Sequence, residues 1–140
     1  MKLSNEIKDV LNNFQTINSN IALGEEGMIR TMSVSKTLMA KSNVQPSPAY
    51  VWPYEFGIYD LGEFLACLNM FDDPTLDFDD EKRFVRITDG ITSFKYYFSE
   101  IGSLTVPTKD INLECNDLIF TLSHEQLTQL RKASGTLKAN

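Results

Sequence analysis

The sequence predicts an α+β fold in which helices pack on one face of a mainly antiparallel sheet. Three observations carry this: a helix-period stretch near the start, a capped helix from residue 60, and short strand-period runs lying before and after that second helix. Helices separated by runs of short strands, with no regular alternation of strand and long crossover, favour antiparallel over parallel pairing. At 140 residues the chain can bury a real core without staples.

Residues 4 to 14 read as the first helix. Ser4 can cap it, and Leu3, Ile7, Val10, Leu11 and Phe14 fall within about 100° of one another on a helical wheel. Asn5, Lys8, Asp9 and Asn12 occupy the opposite, polar face. Ile21 to Leu23 and Met28 to Met32 follow as strands around Gly24-Glu25-Glu26-Gly27, and a third strand is expected from Thr37 to Ala40. Pro46 and Pro48 mark a loop. The aromatic segment from Tyr50 to Ile58 reads as extended, with Pro53 pointing to an edge or bulge.

The second helix spans 60 to 70, with Asp60 as cap and Glu63 three residues on, and Leu61, Phe64, Leu65 and Leu68 at helical spacing. Cys67 on it reads as a small buried hydrophobe. Strands are then expected at Thr75 to Phe78, Arg83 to Thr88 and Thr92 to Phe98, the last two joined by an Asp89-Gly90 hairpin turn. Ile101 to Thr108, with Gly102 and Pro107, reads as a connector. After the apolar segment Leu118 to Leu122, Ser123 and Gln126 box the start of a third helix, Leu127 and Leu130 are spaced for burial, and Gly135 stops it.

The chemistry of the chain excludes more than it offers. One histidine, His124, and two remote cysteines, Cys67 and Cys115, provide neither a nucleophile–base pair nor metal-ligand spacing. The acidic run at Asp72, Asp73, Asp77, Asp79 and Asp80 lacks the glycine and terminal glutamate of a calcium loop, and no phosphate-cradling Gly-rich turn opens a helix. No catalysis, metal or cofactor is expected. No apolar run reaches the roughly 18 residues of a membrane span, and the first residues lack signal-peptide character, so no membrane association and a reducing compartment are expected. The net charge of −6 argues against a nucleic-acid grip over most of the surface but allows a small basic face. The aromatic runs read as core or interface. Use as a platform for single-stranded nucleic acid would require Trp52 or Tyr54 to be exposed beside basic residues.

The segment Asn13-Phe14-Gln15-Thr16-Ile17-Asn18-Ser19 before a strand hairpin, and the later Ile58-Tyr59-Asp60-Leu61-Gly62-Glu63-Phe64-Leu65, closely resemble the first domain of the DNA polymerase sliding clamp of T4-like bacteriophages. The resemblance implies a DNA-clamp-like first domain over residues 1–100, an interdomain connector over 101–117, and the start of a second, incomplete clamp-like domain over 118–140. It implies a non-catalytic ring, a homotrimer at full length, that encircles duplex DNA without reading sequence. Its other partners would be the replicative polymerase and a clamp loader, in the cytoplasm of the infected bacterial host. Lys8 and Asn12 on the first helix, with Lys2 near its start, and Arg131 and Lys132 on the third match the family's DNA-facing helix faces. A family subunit has two complete domains, so the sequence is expected to be a fragment or truncated gene rather than a compact relative using more subunits. The alternative reading is a clamp-fold interaction module, or a degenerate truncated clamp, that never encircles DNA; a helix face no more positive than the rest of the surface would favour it.

Overall fold

A computed structural model describes residues 1–44, 51–109 and 120–137. The Pro46–Pro48 loop, Tyr50, Cys115, Leu118 and residues 110–117 of the expected connector lie outside the described residues. Two compact units divide the chain, Met1–Lys109 and Asp110–Asn140.

In the first unit, helix α1 runs from Asn5 to Gln15, and Ser4 accepts the Ile7 N–H at 3.3 Å as the expected cap. Strands β1 (Ile21–Leu23), β2 (Met28–Met32), β3 (Met39–Asn43) and β4 (Phe56–Ile58) form an antiparallel sheet in the order β3-β2-β1-β4. Helix α2 (Leu61–Asn69) starts on the Asp60 side chain, which accepts the Glu63 N–H at 3.0 Å. Strands β5 (Thr75–Phe78), β6 (Phe84–Thr88) and β7 (Ser93–Tyr97) form a second antiparallel sheet in chain order. The expected single sheet is therefore two. Among the described residues they are tied by one antiparallel bridge, Gly57 to Ser99, with the Ser99 N–H on the Gly57 carbonyl at 3.0 Å.

One core serves both sheets and both helices. Ile7, Leu11 and Phe14 of α1 join Leu61, Phe64, Leu65 and Leu68 of α2, Ile21 and Leu23 of β1, Ile29 of β2, and Leu76, Val85 and Ile87 of the second sheet. On β1, Ile21 and Leu23 point to this core, while Ala22 between them packs against Leu104 and Val106. Alternation along a strand separates opposite faces, so both helices lie on the same side of the first sheet. They meet where α1 ends and α2 begins: the Leu61 N–H donates to the Ser19 carbonyl at 2.9 Å, and a Cβ on Gly62 would come 2.8 Å from the Gln15 side-chain amide nitrogen.

Several boundaries differ from the sequence reading for physical reasons. β3 begins at Met39 rather than Thr37, because residues 33–38 make a hydroxyl-rich turn in which Ser33 Oγ accepts the Leu38 N–H and Lys36 takes a φ of 58°. Only Phe56–Ile58 of the aromatic segment is a strand. Upstream of it Trp52 and Tyr54 turn inward and, with Phe56, Phe78 and Phe98, fill the junction between the sheets through ring contacts of 4.6 to 6.2 Å. Residues 101–106, expected as connector, pack within the first unit instead, with Leu104 and Val106 buried.

The β6–β7 hairpin forms as expected: the Asp89 carboxylate accepts the Ile91 and Thr92 N–H groups, and Gly90 sits at φ 95°. In the second unit, helix α3 spans His124–Leu137, and its capping box is complete in both directions between Ser123 and Gln126. Gly135 does not stop it. Glycine in a helix interior lowers stability by about 1 kcal/mol relative to alanine, which handicaps a helix without ending it. Leu127 and Leu130, expected to be buried, are 47% and 54% exposed.

Candidate functional site

The outward face shared by α1 and α2 is the first place to test the sequence-predicted site. On α1 the apolar stripe points inward and leaves Asn5, Glu6, Asp9, Asn12 and Asn13 exposed, with Lys8 half-buried among them. The Asn12 side-chain amide donates to the Lys8 carbonyl at 2.8 Å, holding the asparagine along the helix surface. On α2 the matching face is Glu63, Ala66 and Asn69. Small polar side chains dominate the outward face of α1, whereas α2 adds a single asparagine, Asn69. In charge, Lys8 stands against Glu6, Asp9 and Glu63, so the face is acidic in sum rather than basic. Lys2 is engaged as well: it forms an exposed ion pair with Asp73, which offsets its charge locally.

Arg131 and Lys132 are exposed on α3 in the second unit, with Glu125 the acidic residue of its first turn. Because the helix runs through Gly135, these cations sit more than a turn from its end, and the C-terminal dipole does not account for them. Lys2, Lys8 and Asn12 thus lie in one unit, and Arg131 and Lys132 in the other.

The other chemistries weighed from sequence find little here. Trp52 and Tyr54 are 2% and 7% exposed, which removes them as a stacking platform. His124 lies exposed at the start of α3. Cys67 is half-buried against the core, and burial pushes its thiol up, away from the reactive thiolate. Among the described residues no group of histidine, cysteine and carboxylate side chains could hold a metal, and no helix is long and apolar enough to cross a membrane.

Sequence reasoning missed a polar cluster where α1 hands over to β1. Asn18 and Asn20 are both at least nine-tenths buried and fully engaged. The visible signal was an Asn-Ser-Asn run between a helix end and a strand, where asparagine side chains commonly bond nearby backbone.

Tyr96 on β7 gives the clearest pH dependence. Its hydroxyl donates to the Asp60 carbonyl at 3.0 Å, its ring meets Phe64 edge-on, and burial, helped by the nearby carboxylates Glu63 and Asp60, pushes its pKa up to about 12. The folded state therefore holds this proton above the range where the unfolded chain releases it. Stability is expected to be full below pH 10 and to fall as pH rises from 10 towards 12. Alkaline unfolding followed by circular dichroism checks this, and Tyr96→Phe is expected to flatten that part of the curve.

Two helices with polar backs, side by side on one face of antiparallel sheets, define a domain of the DNA-clamp-like α+β class. No family model matches the chain. Among curated proteins it is 33% identical over 141 residues to the sliding clamp of Vibrio phage KVP40, a match that takes in 98% of this chain and 61% of that protein. It is 29% identical to the sliding clamp of Enterobacteria phage T4 and 27% identical to that of Escherichia phage RB69, in each case over 99% of this chain and 59% of the relative. Over nearly its whole length the chain is similar to these phage sliding clamps, and it spans about three fifths of theirs.

Proposed function

We propose that this chain acts as a sliding clamp subunit, closing with other copies into a ring around duplex DNA and tethering the replicative polymerase without catalysing a reaction. The observation that carries the proposal is the alignment of nearly the whole chain with three phage sliding clamps. The two polar-backed helices on one face of the sheets support it, since a ring needs such a face for its hole. Encirclement replaces tight binding, so the inner face needs phosphate attraction and no base contacts. Lys8 and Asn12 on α1 and Arg131 and Lys132 on α3 are the residues we assign to the DNA side. Lys2 contributes less, because Asp73 already pairs with it. Residues 1–100 would be the first clamp-like domain and 118–140 the start of the second, with a homotrimer, a clamp loader and the infected host's cytoplasm as the finer parts of the reading.

The test is topological. After loading by its cognate loader, the full-length protein is expected to stay on nicked circular DNA and to run off the ends of the same DNA once linearised. The acidic sum on α1 and α2 is the one observation on the side of a clamp-fold interaction module. Equal retention on circular and linear DNA would select that module. Lys8→Glu is expected to change stability by no more than about 0.5 kcal/mol, as a partly exposed surface substitution. It should shorten retention on circular DNA, measured as the dissociation time at fixed salt.

A further inference from the structure

Residues 101–106 lie on the sheet face opposite α1 and α2, and the contacts that hold them there are of two kinds. Leu104 and Val106, with half-buried Ile101, close over Ala22 as a small apolar cluster separate from the main core. Beside it, two asparagines grip the backbone of Thr105 from both sides. The Thr105 N–H donates to Asn20 Oδ1 at 3.0 Å, and Asn18 Nδ2 donates to the Thr105 carbonyl at 3.2 Å. The same side chains hold the rest of the sheet. Asn20 Nδ2 donates to the Tyr59 carbonyl at 2.7 Å, Asn18 Nδ2 reaches the Met32 carbonyl at 2.6 Å, and Asn18 Oδ1 accepts the Asn20 N–H at 3.2 Å.

The seat is cut to fit. A Cβ on Gly57 would stand 2.5 Å from Leu104 Cδ1 and 2.7 Å from the Ser99 carbonyl oxygen, so only glycine lets the segment lie this close to β4. Burial ends at Val106, with Pro107 half-buried and Thr108 and Lys109 exposed.

We infer that residues 101–106 are a releasable latch, locked by Asn18 and Asn20 on Thr105, which can leave the sheet while the main core of the first unit stays closed. A segment held by its own small cluster and by backbone bonds to two side chains can open without the main core opening. Release would free six residues, about 20 Å of chain if fully extended. The inference rests on contacts within the first unit and is independent of the DNA reading.

Hydrogen exchange on the full chain, resolved to short peptides, tests it. Asn20→Ala is expected to speed exchange across 101–106 at least tenfold while α1 and β6 change less than twofold. Thr105→Pro provides a second route that leaves Asn20 intact. It removes the N–H donor of the latch bond, and Leu104 before it already has the extended geometry, φ −94° and ψ 152°, that a following proline requires. The same selective loss is expected. If α1 and β6 speed up in step with 101–106 in either variant, the segment is part of the core and not a latch. Unchanged exchange at 101–106 in both variants would equally overturn the proposal.

Discussion

Phe56→Ala is expected to cost about 3–5 kcal/mol of stability, read as the drop in the urea midpoint at constant slope. Phe56 is 4% exposed and stands where the two sheets meet, with the rings of Phe98 at 4.6 Å, Phe78 at 5.4 Å and Trp52 at 5.5 Å. Its neighbours come from the segment before β4, from β5 and from the residue after β7, so no single element can collapse into the space left behind. The next residue, Gly57, carries the only β-bridge between the sheets among the described residues, and loosening β4 loosens that tie too. Phe56→Leu keeps most of the volume and is expected to cost less than half as much. Ile91→Ala serves as the control: Ile91 is 96% exposed at a hairpin tip, and a change there should stay within about 0.5 kcal/mol. A loss below 1 kcal/mol for Phe56→Ala would mean that the sheet junction repacks freely.

The elements whose signal is local were legible in the sequence. Ser4, Asp60 and Ser123 cap the three helices because a side-chain oxygen beside a helix start satisfies amide groups that have no other partner. Asp89-Gly90 fixed the second hairpin through the same local chemistry. What escaped depends on contacts distant in the chain. β4 pairs with β1 across more than thirty residues of intervening sequence, and the division into two sheets follows from that pairing rather than from any turn signal. The stretch from Ile101 to Thr108 looked like a connector because Gly102 and Pro107 punctuate it. Its burial is decided by Ala22, Asn18 and Asn20, some eighty residues earlier. At the candidate site, the polar back of α1 was visible from helical spacing. The partnering of Lys2 with Asp73 was not, because it requires knowing that the N-terminus lies beside β5, where Met1 and Leu76 exchange backbone hydrogen bonds.

Reversing both cations of α3, Arg131→Glu with Lys132→Glu, is expected to have the largest effect on DNA retention of any surface change. The α1 and α2 face is acidic in sum, so on the clamp reading proposed above the attraction to phosphate would have to come from elsewhere, and we assign it to these two adjacent, exposed cations. Neither side chain is buried, and stability should therefore move by no more than about 0.5 kcal/mol. If each cation neutralises one phosphate, losing both lowers the slope of log affinity against log salt by about two per subunit. Raising salt fourfold should then weaken the parent protein about tenfold more than the variant for each subunit whose cations meet DNA, in addition to the variant's weaker retention at low salt. Arg131→Lys with Lys132→Arg keeps both charges and should restore slope and retention together, because phosphate attraction without base readout depends on charge more than on fork geometry. A reversed variant that keeps the parent's salt slope would put these residues outside the hole. The charge that holds DNA would then have to be sought on a surface other than that of α3.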